Sequence, residues 1–128
     1  MSGGESIMNK DLVKRIIVEY GGYFEGAEKR ILTHDGEKIL VEREFYNGSV
    51  DDGRPLYQGK TWSSFLDELN KLNIDNWDEN YDDPDVMDGV QWMLDIHYEN
   101  GCEGIHCWGS NKFPKNFNAF LKVMEMKL

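Results

Sequence analysis

Hydrophobic positions along this chain change period three times, and each change marks a new kind of element. Over residues 12–20 they alternate, with Ile16, Val18 and Tyr20 on one face and Arg15, Ile17 and Glu19 on the other, the period of a strand. Gly21-Gly22 then breaks or bulges the pattern. Residues 28–34 set Lys29, Ile31 and Thr33 against Arg30, Leu32 and His34, and the Asp35-Gly36 pair supplies a hairpin turn. Residues 38–46 return as a third strand, Ile39, Val41, Arg43 and Phe45 opposite Leu40, Glu42, Glu44 and Tyr46. Both faces keep apolar residues, which predicts a helix packed on one side and aromatics on the other.

A turn-rich loop over 47–55 precedes the switch to helical spacing. Trp62, Phe65, Leu66, Leu69 and Leu72 form one apolar stripe, with Thr61 or Ser63 available to cap its free N–H groups. After an acidic stretch, alternation resumes at 90–98, with Trp92, Leu94, Ile96 and Tyr98 on one face. It turns at Glu99-Asn100-Gly101 and comes back over 102–108. Pro114 suits a helix's first turn, and Phe117, Phe120, Leu121 and Met124 make a second stripe. These elements predict an α+β fold. Its sheet is five-stranded and mainly antiparallel, with two helices packed on one face, in the order β-β-β-α-β-β-α. Residues 1–7 read as a cloning remnant or a disordered leader, and 8–128 as a single α+β domain.

Charge sharpens this picture. The chain has 128 residues, with 14 Lys+Arg against 24 Asp+Glu and a formal net charge of −10. Seven of the acids fall within residues 75–88, which contain no Lys or Arg, so the remainder carries 17 acids against 14 bases. Such a balance excludes a nucleic-acid backbone as direct ligand, since that needs a basic footprint. Hydrophobic residues at 40% exclude a disordered acidic tail. Aliphatic runs such as Ile16-Ile17-Val18 are far short of the ~20 residues of a membrane span, so no membrane partner is expected. Cys102 and Cys107 lie five apart on one strand arm, where side chains face opposite ways; reduced thiols and a cytoplasmic location are expected.

Candidate chemistry is sparse. His97, Cys102, His106 and Cys107 lie close in sequence, but His106 and Cys107 are adjacent in a strand and face opposite ways, and the spacings are not those of a zinc site. Asp78, Asp82, Asp83, Asp85 and Asp88 lack the central Gly and the terminal Glu of a calcium loop, and Pro84 interrupts them. No nucleophile elbow, phosphate loop or dinucleotide fingerprint occurs. The expectation is a non-enzyme with no catalytic residues, no metal and no cofactor.

One stretch is nevertheless distinctive. Asp88-Gly89-Val90-Gln91-Trp92, followed by Gly109-Ser110-Asn111-Lys112-Phe113-Pro114-Lys115-Asn116-Phe117, together with Tyr20-Gly21-Gly22-Tyr23-Phe24 and the Trp77…Gly89 segment, resembles a group of small uncharacterised bacterial proteins. They share a DG-x-QW … GSN-x-(F/Y)P-x-NF signature. The resemblance implies a shared fold and brings no catalytic residues with it.

Size and charge predict an acidic inhibitor that binds a basic, nucleic-acid-processing protein, such as a nuclease toxin or a CRISPR effector. Small acidic proteins without catalytic groups are what toxin-immunity and anti-CRISPR proteins look like, because surface carboxylates mimic phosphates and speed association. The expected interface is Asp78, Glu79, Asp82, Asp83 and Asp85, with Trp77 and Tyr81 as aromatic anchors. The alternative is a small-ligand or metal-binding domain, in which His97, His106 and Trp108 line a pocket on the sheet face opposite the helices.

Overall fold

A computed structural model describes residues 12–22, 26–51, 53–82, 89–99 and 104–126. These form six strands and two α-helices: β1 (Val13–Gly22), β2 (Gly26–Asp35), β3 (Lys38–Tyr46), α1 (Trp62–Asn70), β4 (Asn80–Asp82), β5 (Val90–Tyr98), β6 (Ile105–Ser110) and α2 (Phe117–Met124). One mixed sheet has the order β3-β2-β1-β5-β6-β4. Its first five strands are antiparallel neighbours, and β4 runs parallel to β6.

The α+β class agrees with the hydrophobic pattern, but the strand count and order need correction. The described residues form six strands, in the order β-β-β-α-β-β-β-α. The added strand, β4, is three residues long and shows no apolar alternation. Its pairing with Trp108, Gly109 and Ser110 is a long-range event that no local pattern encodes. Gly21-Gly22 does not end β1; it continues in register opposite Ala27 and Gly26. The irregularity lies instead between Val13 and Arg15, where the register with β5 shifts. Pro114 sits in the turn before α2, its carbonyl accepting the Phe117 N–H.

Both helices lie on one face. The α1 stripe of Trp62, Phe65, Leu66 and Leu69 and the α2 stripe of Phe117, Phe120, Leu121 and Met124 are buried against Ile16, Val18, Leu32, Trp92, Leu94, Ile96 and Cys107 of the sheet. Full burial of each large side chain stabilises by about 1.5–3 kcal/mol. Thr61 starts α1 with a capping box: its Oγ1 accepts the Ser64 N–H at 3.1 Å, and Ser64 Oγ accepts the Thr61 N–H at 3.0 Å. The Trp62 N–H donates to the Glu37 carbonyl in the β2–β3 turn, fixing the helix entry.

A polar network is sealed under this layer. Arg30 of β2 is fully buried and donates to Glu28, to the Tyr57 hydroxyl and to the Met124 carbonyl at the end of α2. The Tyr57 hydroxyl in turn donates to that carbonyl at 2.9 Å. Burial pushes the Tyr57 phenol from its usual 10.0 up to about 12, although the Arg30 charge pulls the other way. A raised acid favours the fold while protonated. Its contribution, about 2–3 kcal/mol, is therefore complete below pH ~10 and disappears as pH climbs through ~12. Urea unfolding from pH 9 to 12 is expected to show this loss, and Tyr57→Phe to show a smaller slope above pH 10.

Candidate functional site

With both helices on one side, the other sheet face is left without a covering layer among the described residues. Its side chains follow from strand alternation. Arg15, Ile17, Glu19 and Gly21 of β1 neighbour Lys29 and Ile31 of β2, Leu40, Glu42, Glu44 and Tyr46 of β3, Gln91, Met93, Asp95 and His97 of β5, and His106 and Trp108 of β6. Ile17 pairs with Ile31 and Met93 with Trp108, and with Leu40 they trace an apolar diagonal across five strands. Leu40 and Trp108 are each 39% exposed, and Tyr46 is 40% exposed. Glu19, Glu42, Glu44 and Asp95 flank this diagonal, against the bases Arg15 and Lys29.

The histidines of this face are engaged locally. Arg15 donates to His97 Nδ1, its Nη2 at 3.0 Å. His106 Nδ1 meets the Asp95 carboxylate across the β5–β6 ladder. Cys107 points the opposite way, into the core. Burial first, and then the charges of Asp95, Glu79 and Asp78, push its thiol to about 11, which leaves it a poor nucleophile at neutral pH. Among the described residues no three His, Cys, Asp or Glu side chains converge as a metal would require. Cys102 lies outside the described residues.

The acidic segment borders the same sheet. Asp78 and Glu79 are exposed just before β4, the edge strand beside β6. The backbone of Asp82 pairs with Ser110, whereas Asp83 and Asp85 fall outside the described residues. Trp77 and Tyr81 are half-buried and turn inward. Trp77 packs edge-on against Trp92 and Phe120, with centroids at 5.8 and 5.4 Å. Its indole N–H donates to Asn116 Oδ1 at 2.9 Å, and Asn116 Nδ2 donates to the Leu72 carbonyl. Tyr81 leans on Trp92 at 5.8 Å, and its hydroxyl accepts the Asp78 N–H. Both aromatics therefore fasten the acidic edge to the core.

At one end of the open face, where β1 finishes and β2 and β5 begin, lies a cavity of about 500 Å³, lined by Glu19, Gly21, Ala27, Asn47, Gln91 and Met93 together with Gly22, Gly89 and Trp92. Its floor is backbone. Gly21 has φ +147°, and a Cβ there would stand 2.3 Å from the Gly26 carbonyl and 2.4 Å from Ala27 Cα, so only glycine fits. The sequence pattern missed this feature; its one signal was the Gly21-Gly22 pair inside an otherwise regular strand.

Comparison with protein-family models, with curated proteins and with solved structures gives no match.

Proposed function

We propose that this chain is a non-enzymatic acidic inhibitor that captures a basic, nucleic-acid-processing protein, the kind of role filled by toxin-immunity and anti-CRISPR proteins. One observation carries the reading: an uncovered sheet face combines an apolar diagonal, Leu40–Ile31–Ile17–Met93–Trp108, with a surplus of carboxylates, and adjoins an edge rich in acids. Exposed apolar area rimmed by one sign of charge fits a partner of opposite sign. Asp78, Glu79, Asp82, Asp83 and Asp85 supply the field that draws the partner in. Trp77 and Tyr81 hold β4, next to which Asp78 and Glu79 lie, and Trp108 is the aromatic that meets the partner.

Affinity purification from the source cells, followed by binary binding of the purified partner, tests the reading with two variants. Neutralising the five acids to Asn or Gln is expected to slow association at least tenfold at low salt and to flatten its salt dependence. Trp108→Ala is expected to speed dissociation at least tenfold. A captured partner whose kinetics respond to neither variant overturns the proposal, as does stoichiometric zinc in the purified protein.

A further inference from the structure

The cavity on the open face is lined by a carboxylate that no hydrogen-bond donor or cation among the described residues pairs with. Glu19 is half-buried on the central strand β1 and lines the cavity, yet it forms no hydrogen bond and no ion pair among the described residues. Lys29 stands opposite it in register, but Glu44 flanks Lys29 on its other side, so this row of the sheet carries two acids for one base. Glu44 also accepts a hydrogen bond from the Tyr46 hydroxyl at 2.6 Å. The remaining polar walls are amides. Gln91 comes from β5, and Asn47, whose Nδ2 donates to the Gly22 carbonyl, keeps its Oδ1 as an acceptor. Met93 supplies one apolar wall, and the peptide planes around Gly21 the flat floor.

We propose that this cavity receives a guanidinium group, presented by an arginine side chain of the basic partner. The inference rests on the reading above and names the point at which the partner is gripped. Guanidinium is planar and weakly hydrated, so it can lie over a bare peptide floor and a thioether. Its fixed fork of donors matches a carboxylate in bidentate fashion, and the outer N–H groups are left for amide oxygens such as those of Gln91 and Asn47. A lysine ammonium has neither the flat face nor the fork, and Glu19 repels an anion. A cavity of about 500 Å³ admits a whole arginine side chain and falls within the range of pockets built for small ligands.

The probes are N-acetyl-arginine amide, N-acetyl-lysine amide and sodium chloride, titrated into the full chain and followed by amide and methyl NMR shifts. Saturable shifts at Gly21, Ala27, Gln91 and Met93 with the arginine probe, at least tenfold weaker with the lysine probe, are expected. Glu19→Gln is expected to weaken that response at least tenfold. Ala27→Leu, which fills the floor without altering charge, is expected to abolish it while the remaining spectrum stays folded. No saturation, equal response to lysine, or shifts centred on Asp78 and Glu79 overturns the inference. A second arm uses the purified partner. Tenfold weaker binding by Glu19→Gln supports a partner arginine as the source, whereas unchanged partner binding by this variant, beside its loss of the arginine response, overturns that source in favour of a free guanidinium compound. Arginine saturation in the absence of any captured protein supports the cavity and overturns the inhibitor reading alone, so the two failures are separable.

Discussion

Replacing Arg30 by Ala is expected to destabilise the fold by about 3–5 kcal/mol, the cost of breaking a buried ion pair from one side. Domains of this size have about 5–15 kcal/mol in all, so the variant should sit near the edge of folding at 25 °C. The reason is the number of groups that Arg30 satisfies at once. Its Nε and Nη2 each donate to Glu28 at 3.0 Å, while Nη1 reaches Tyr57 Oη at 3.0 Å and the Met124 carbonyl. That carbonyl lies at the C-terminal end of α2, where orphan acceptors and the negative end of the helix dipole favour a cation. Among the described residues Glu28 would retain only Arg43, at 2.6 Å, and the strand would lose its polar tie to α2. Arg30→Lys keeps the charge but not the fork, and is expected to recover less than half of the loss. Urea unfolding by circular dichroism measures both variants. A loss under 1 kcal/mol for Arg30→Ala would show that the network is dispensable.

Arg30 also shows where the chain is readable and where it is not. Alternation placed Arg30 on the same face as Leu32 and His34, and that is where it lies. What alternation cannot say is that a charged residue occupies the sealed face, because beyond Glu28 its partners come from residues 57 and 124, far along the sequence. The same distinction holds throughout. Strands at 38–46 and 90–98 and the stripe from Trp62 to Leu69 are local periodicities, and they are found at those positions. Strand β4 has no period of its own and exists through its parallel pairing with β6. The acids of the 75–88 segment were plain in the composition, but Trp77 and Tyr81 could not be oriented, since an aromatic beside acids looks the same whether it faces solvent or Trp92. The uncovered sheet face was half-legible. Its residues followed from the strand pattern, but the cavity at its end depends on a glycine and an alanine brought opposite each other by the β1–β2 register.

The two-part signature has a physical content as well. Gly89 faces the Asn111 side chain so closely that a Cβ would overlap it, and Gln91 pairs with Ser110. Trp92 lies over Gly109 and meets Phe117 at a tilt, centroids 4.9 Å apart, and Phe117 also meets Phe113 at 4.9 Å. Residues some twenty positions apart thus form one cluster, and it is this cluster that fastens β4 and its acids to the sheet.

Gly109→Ala is therefore expected to destabilise the protein by about 2–5 kcal/mol. Gly109 is buried in β6, directly opposite Trp92 and Tyr81. An added Cβ would stand 2.3 Å from Trp92 Nε1 and 2.7 Å from the Lys112 carbonyl, the two partners of a 2.9 Å hydrogen bond. Neither can yield cheaply: one is backbone, and the other is an indole packed among Trp77, Tyr81 and Phe117. Overpacking alone costs about 1–3 kcal/mol, and a buried N–H left without its acceptor adds about 1–3 kcal/mol. Gly36→Ala is the matched control. Nothing lies within 4 Å of its Cβ position and only the φ of +59° opposes the change, so about 1–2 kcal/mol is expected. Urea unfolding separates the two, and tryptophan fluorescence should report a shifted Trp92 in folded Gly109→Ala but not in Gly36→Ala. Hydrogen exchange adds the functional link: because Tyr81 and Trp77 brace β4 through Trp92, the Trp108 N–H donated to the Glu79 carbonyl should lose protection in Gly109→Ala beyond the global change. Equal losses for both variants would mean that the indole yields freely and that the acidic edge is held by its three-residue ladder alone.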